Sequence, residues 1–171
     1  LYVGLSNYEG ETLEQAAKIL GELKVPFIIN QNRYSIFDRT IENNGLKDMA
    51  GKLKKGIISF SPLAQGLLSD RYLNGIPADS RIVTDGRFLN ENNLTANKLE
   101  AIRRLNDIAK ERNQSLAQMA LSWVLKEDVM TSVLIGASKP SQVLDNIAAI
   151  ENTSFSEEEL NKIDETVKAY E

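Results

Sequence analysis

The chain of 171 residues contains no cysteine and no histidine. Without cysteine there is no disulfide, no thiolate nucleophile and no sulfur ligand. Without histidine, the commonest metal ligand and the commonest general base near neutral pH are both missing. Carboxylates remain for Mg or Ca, but no Asp-rich calcium-loop spacing occurs, so no metal site is expected. No apolar run approaches the roughly 20 residues of a membrane span. The formal charge of −4 is spread along the sequence without a basic block, which argues against nucleic acid or a membrane surface as partner. LYVGLSNY lacks the charged leader of a signal peptide and has strand character, so a cytoplasmic location is expected. Leu1 opens directly into an apolar strand, so the chain reads as part of a longer one.

What is present is a regular alternation. The run Leu1 to Leu5 is followed by SNYEGE and a helical stretch with Leu13, Ala16, Ala17, Leu20 and Leu23 on one face. PFIIN makes a second strand, QNRYSIFDR a polar turn region, and a helix is expected near Ile41 to Lys54. IISFS is the third strand. A long irregular stretch follows, from about residue 69 to 95; connections of that length are usually functional. Leu99, Ile102, Leu105 and Ala109 set the face of a helix from Ala96 to Arg112. The next helix starts at Ser115, with Gln118 completing a capping box, and its MALSWVL interior predicts burial all round. VLIGA (Val133 to Ala137) is the fourth strand. The helix after it presents Val143, Ile147 and Ile150, and a last helix opens at Ser156 with Glu159 as its box partner and Phe155 placed to staple onto Leu160.

Four short apolar strands alternating with helices predict a parallel sheet covered by helices, in an open doubly wound sheet or in part of an eight-stranded barrel. In both, ligands gather where strands end and helices begin. Those positions hold Ser6, Asn7 and Tyr8; Asn30 and Gln31; Ser61, Pro62, Leu63 and Gln65; and Ser138, Lys139 and Gln142. Taken singly, each has a plain structural role: Ser6 and Asn7 as a turn, Phe60 as a core aromatic, Lys139 as a solvated lysine, Ser138 as an N-cap with Pro140 in the first turn. As a set they form a rim of neutral hydrogen-bonding groups. Such a rim suits an amide, a sugar or a phosphate, and offers no convincing base or nucleophile.

GLSNY, NQNRYSIFDR, SFSPLAQGLLSDRY and VLIGASKPSQVLDN occur after successive strands in the order and spacing of the aldo-keto reductases, and the chain resembles the C-terminal half of that family along essentially its whole length. The nearest branch is that of bacterial L-glyceraldehyde 3-phosphate reductases, related to potassium-channel β-subunits. The resemblance implies an α/β TIM (β/α)8 barrel of which this chain is a half, about the last four strands. It further implies NADPH-dependent reduction of a small carbonyl substrate, aldehyde or ketone. By family position, Ser6, Asn7 and Gln31 hold the nicotinamide carboxamide and Phe60 stacks on the ring, where many members carry Tyr or Trp. Ser61, Pro62, Leu63, Gln65 and Gly66 match the strap over the pyrophosphate. Ser138, Gln142, Asp145 and Asn146 match the adenosine end, with Asp145 where Glu is usual. Arg81 matches an arginine that approaches the 2′-phosphate. That phosphate would sit on the N-terminus of the helix after the fourth strand, beside Ser138 and Lys139.

The family's catalytic Tyr, Lys, Asp and His lie on the first four strands of the barrel. None of them has a counterpart here, and Tyr8, Tyr34 and Tyr72 do not sit in the catalytic tyrosine's context. The expectation is therefore a cofactor cradle without its proton donor, inactive alone. An alternative is a regulatory module that holds NADPH as a sensor, as in the channel-associated relatives. The edges of a half barrel are expected to engage the missing N-terminal half or another copy of the chain.

Overall fold

In the computed structural model, which describes residues 1–78, 81–84 and 94–169, β1 (Val3–Ser6), β2 (Phe27–Arg33), β3 (Gly56–Phe60) and β4 (Met130–Val133) form one parallel sheet in the order β1-β2-β3-β4. Helix α1 (Gly10–Glu22) links β1 to β2, and α2 (Thr40–Asn43) and α3 (Leu46–Lys52) link β2 to β3. Between β3 and β4 lie α4 (Arg81–Thr84), α5 (Ala96–Glu111) and α6 (Leu116–Val124); α7 (Pro140–Ile147) and α8 (Glu157–Lys168) follow β4. Right-handed crossovers between strands taken in sequential order bring the connecting helices to one side of a sheet. A doubly wound sheet would reverse its order at a switch point. Of the two architectures open to the sequence, the barrel wall is the one that forms.

The chain divides into two compact units, Leu1–Pro62 with Val124–Gly136, and Leu63–Trp123 with Ala137–Glu171. The first holds the whole sheet with α1 to α3. Leu13, Phe27, Tyr34, Ile36, Ile41, Leu46 and Ile57 are buried in it. Helices α1 and α3 approach at their starts, where a Cβ on Gly10 would stand 2.6 Å from the carbonyl oxygen of Gly45. Gly45 itself has φ of +76° and breaks the single helix expected from Ile41 to Lys54 into α2 and α3. The stripe expected on α1 is buried at Leu13 but exposed by Leu23.

Two strands differ from the expectation. The polar segment Gln31 to Arg33 belongs to β2, paired with Ile58 to Phe60 of β3, because Asn30 and Asn32 turn their amides inward and bond each other. The fourth strand lies earlier than VLIGA, over Met130–Val133. Its partner β3 ends at Phe60, so after one further bond from Leu134 N–H to the Ser59 carbonyl (2.8 Å) the ladder stops. Leu134 and Ile135 are consequently exposed at the edge.

In the second unit α5 packs against α8, burying Ala101, Ile102, Leu105, Ile108 and Ala109. Thr95 caps α5, accepting from Lys98 N–H at 3.1 Å. Both capping boxes read from spacing form. Ser115 N–H donates to Gln118 Oε1 (2.9 Å) and Gln118 N–H to Ser115 Oγ (3.1 Å), while Ser156 and Glu159 exchange bonds of 2.7 and 3.2 Å. Phe155, expected to staple onto Leu160, has the Arg112 guanidinium 3.7 Å above its ring. Buried Arg112 donates to Glu159 (2.6 Å), to Gln114 (2.9 Å) and to the carbonyls of Ser154 and Asn152 (2.9 and 3.3 Å), so its charge is spread over most of its donors. Val143, Ile147 and Ile150, the apolar face read on α7 and the turn after it, are exposed. Among the described residues no helix is long and apolar enough to cross a membrane.

Candidate cofactor-binding site

Paired residues of parallel strands point to the same side of a sheet, so register alone sorts the side chains. Ser6 pairs with Gln31, Gln31 with Ile58, and Ile58 with Ser132, which makes one row across all four strands. Phe60, two residues beyond Ile58 and opposite Arg33, stands on the same face one step toward the strand ends. The opposite face carries the buried Asn30, Asn32, Ile57 and Ser59. Ser6, Gln31 and Phe60, assigned separately from the sequence, thus come together on one face.

The turn after β1 is held to β2 at a single carbonyl. Gln31 O accepts the Ser6 hydroxyl at 3.1 Å and the Asn7 N–H at 2.9 Å. This fixes Asn7 in the left-handed region at φ +58°, a conformation asparagine tolerates better than most residues. Among the described residues neither the Asn7 nor the Gln31 side-chain amide has a hydrogen-bond partner.

A second group of left-handed residues follows β3. Ser61 (φ +53°), Ala64 (+47°), Gln65 (+60°) and Gly66 (+95°) mark the SPLAQG segment. Within it Leu63 O accepts the N–H of Gly66 at 2.8 Å and of Leu68 at 3.1 Å, and Gly66 O accepts the Ser69 hydroxyl at 2.6 Å. Pro62 is buried, while Ser61, Leu63, Gln65 and Gly66 are half-buried. A loop that commits three non-glycine residues in a row of five to positive φ stores strain that its surroundings must over-determine.

In the second unit the start of α7 is organised by Gln142, not by Ser138. Gln142 Oε1 accepts the N–H of Ser138 (2.8 Å), its hydroxyl (3.1 Å) and the N–H of Lys139 (3.2 Å). The N-cap is Lys139 and Pro140 takes the first helical position, one residue later than the sequence suggests, because glutamine's longer side chain reaches back to do what a serine cap would do. Asp145 is also engaged. Its carboxylate accepts from Ser115 Oγ at 3.1 Å and from Gln118 Nε2 at 2.8 Å, tying α7 to the start of α6. Asn146, beside it, is only 7% exposed, and its side-chain amide has no hydrogen-bond partner among the described residues. Arg81 opens α4, but its side chain lies outside the described residues.

Behind the sheet lies a charged cluster that spacing did not reveal. The fully buried Tyr34 hydroxyl bonds Glu42 and accepts from Lys126 Nζ at 3.1 Å. Lys47 Nζ donates to Glu127 at 2.6 Å and lies 3.7 Å from Glu42. Burial, then the bond to Glu42, pushes the Tyr34 phenol well above its ordinary range. Burial and the neighbouring Lys47 charge push Lys126 down to about 8. For Glu127 burial acts upward, but the Lys47 ammonium outweighs it and the carboxyl is lowered. A tyrosine beside a lysine is the pairing a proton donor needs, yet this phenol is held protonated and sealed on the helix side of the sheet. It belongs to the wall, not the rim.

Residues 1–168 match the profile of the aldo/keto reductase family. The chain belongs to that family. Over 170 residues it is 46% identical to the L-glyceraldehyde 3-phosphate reductase of Escherichia coli K12, covering 98% of this chain and 49% of that protein. Over 153 residues it is 31% identical to a probable voltage-gated potassium channel β subunit of Oryza sativa subsp. japonica, covering 88% of this chain and 47% of that one. Among solved structures, a thermostable aldo-keto reductase crystallised with the inhibitor epalrestat superposes with a TM-score of 0.69 at 25% identity, over 96% of this chain and 48% of that one. The chain spans about half the length of the curated relatives it matches. Its four-stranded sheet is an arc of the aldo-keto reductase barrel.

Proposed function

We propose that this chain is the NADPH-binding half of an aldo-keto reductase that reduces aldehydes or ketones, with the proton-donating residues supplied by polypeptide outside it. The observation that carries this reading is the rim of the sheet. Gln31 stands beside Ser6 on the face that also bears Phe60, Asn7 follows in the turn, and among the described residues neither the Asn7 nor the Gln31 side-chain amide has a hydrogen-bond partner. A carboxamide needs donors and an acceptor at its edge and an apolar surface against its ring, and this group offers both.

When bound, the nicotinamide supplies the hydride. The chain's own residues do the rest of what binding requires. Ser6, Asn7 and Gln31 orient the carboxamide, Phe60 covers one ring face, and the strained segment from Ser61 to Gly66 offers backbone to the pyrophosphate. At the other end of the dinucleotide, Ser138, Lys139 and the first turn of α7 favour an anion such as the 2′-phosphate. Gln142 shapes that turn, and Asn146 offers a buried amide to the adenine. Asp145, with both oxygens engaged by Ser115 and Gln118, serves by fixing α7. The row Ser6, Gln31, Ile58 and Ser132 holds no acid with a proton to give near neutral pH, which supports the assignment of acid catalysis elsewhere.

The substrate proposed is a small carbonyl compound, and the substrate named for the 46% identical relative is the first to try. For partners, the edges β1 and β4, unpaired among the described residues, with Ile28, Leu134 and Ile135 exposed, fit the remaining half of a barrel or a second copy of the chain.

Titration of the 171-residue chain with NADPH, followed by nicotinamide fluorescence, tests the reading. A saturable change with no aldehyde-dependent oxidation is expected. No saturable signal overturns the cofactor assignment, whereas oxidation at the rate of a whole reductase overturns the assignment of acid catalysis to another segment.

A further inference from the structure

Two asparagines of β2 turn polar side chains into the buried face of the sheet. Asn30 is fully buried and Asn32 is 7% exposed, both on the face of β2 opposite Gln31, where Asn30 pairs with Ile57 and Asn32 with Ser59. An apolar pair of similar shape would pack there without desolvating two amides. The amides form a short relay. Asn30 Nδ2 donates to Asn32 Oδ1, and Asn32 Nδ2 donates to the carbonyl oxygen of Tyr8 at 3.3 Å. Asn30 Oδ1 is buried without a partner. A buried polar atom left unsatisfied calls for an explanation.

What the relay reaches is the turn after β1. That turn is already tied to β2 from one direction, through the Gln31 carbonyl that takes Ser6 Oγ and Asn7 N–H. Asn32 ties it from the other direction, one residue further along both chains. The left-handed Asn7 therefore lies between two anchors, at Ser6 and at Tyr8. Hydrogen bonds on each side leave its backbone one conformation, and with it the direction in which its side chain leaves the chain.

We propose that Asn32, oriented by Asn30, is a positioning residue that fixes the Ser6–Asn7–Tyr8 turn for the nicotinamide carboxamide. This rests on the NADPH-binding reading above. The pair touches no cofactor; it acts through the Tyr8 carbonyl. Its loss should therefore weaken the nicotinamide end of binding and spare the adenosine end.

The test compares the wild-type chain with Asn32→Leu and with the double variant Asn30→Leu/Asn32→Leu. The double variant removes both side-chain amides, so of the relay only the carbonyl of half-buried Tyr8 loses its donor. Two readouts are taken: hydrogen exchange of the Asn7 amide, and affinity for NADPH alongside adenosine 2′,5′-bisphosphate, which lacks the nicotinamide. Expected are Asn7 exchange about tenfold faster, with Leu105 in α5 unchanged, and NADPH weakened about tenfold with the bisphosphate unaffected. Unchanged Asn7 exchange in both variants overturns the proposal, and so does equal weakening of the two ligands. A wild-type chain that binds neither ligand defeats the functional reading and the nicotinamide role with it; faster Asn7 exchange would then mark Asn32 as an anchor of the turn alone.

Discussion

Two sets of residues in this molecule adopt left-handed backbone conformations without being glycine, and they do so for different reasons. Lys24, Lys54 and Asn113 each follow the end of a helix. There the conformation closes the helix: Lys24 N–H bonds Gly21 O and Val25 N–H bonds Leu20 O, with the same two-bond pattern at Lys54 and Asn113. Their side chains are exposed and make no hydrogen bond among the described residues. Asn7 and Ser61 instead follow strands directly, and Ala64 and Gln65 come in the segment after β3. No helix is being closed there. Helix closure thus accounts for the left-handed conformation in the first set and not in the second, where we propose that it serves cofactor binding.

Substitutions should separate the two sets. The largest effect is expected where glycine cannot be replaced at all: Gly10→Ala puts a Cβ 2.6 Å from the Gly45 carbonyl and forces α1 from α3, lowering stability by about 2 kcal/mol in urea denaturation. Next comes the rim. Asn7→Gly relaxes the backbone but deletes the amide, so NADPH affinity should fall about tenfold while stability holds or rises slightly. At the helix ends Lys24→Gly and Lys54→Gly should each stabilise by about 0.5–1 kcal/mol and leave NADPH affinity unchanged. If Lys54→Gly weakens NADPH as much as Asn7→Gly does, the distinction between the sets is wrong.

A further prediction keeps both sets intact and titrates the wall behind the sheet. Lys126 is lowered to about 8 in the folded chain against an ordinary 10.5. Between those values the unfolded chain holds a proton that the folded chain has released, so stability rises with pH across this window. Tyr34, raised, opposes the trend only above its ordinary pKa near 10. Urea midpoints of the wild type should therefore climb from pH 8 toward pH 10 relative to those of Lys126→Met, whose site carries no charge.

Much of this architecture is legible in the sequence. Apolar runs at the spacing of β/α units give the parallel sheet, and two capping boxes give the starts of α6 and α8 because those contacts are three residues apart. Legibility fails where the physics is long-range. Gln31 to Arg33 looks like a turn because it is polar, and only the amide-to-amide bond of Asn30 and Asn32 shows how such a segment stays in a sheet. Gln118 is readable as a cap from Ser115; that its other end grips Asp145, 27 residues away, is not. Gly45, where the helix breaks, is approached by Gly10, 35 positions earlier by the sequence numbering. The rim residues are readable as a set from motif order, whereas their shared face follows only from strand register.

A titration of the isotopically labelled chain with NADP, followed by amide chemical shifts, tests the central claim most directly. The account predicts that the amides of Asn7, Gln31, Phe60 and Ser61 move in a saturable way while those of Lys24, Lys54 and Asn113 stay where they are. Rim amides that remain still at saturating NADP, or helix-end amides that move as far as they do, would contradict it.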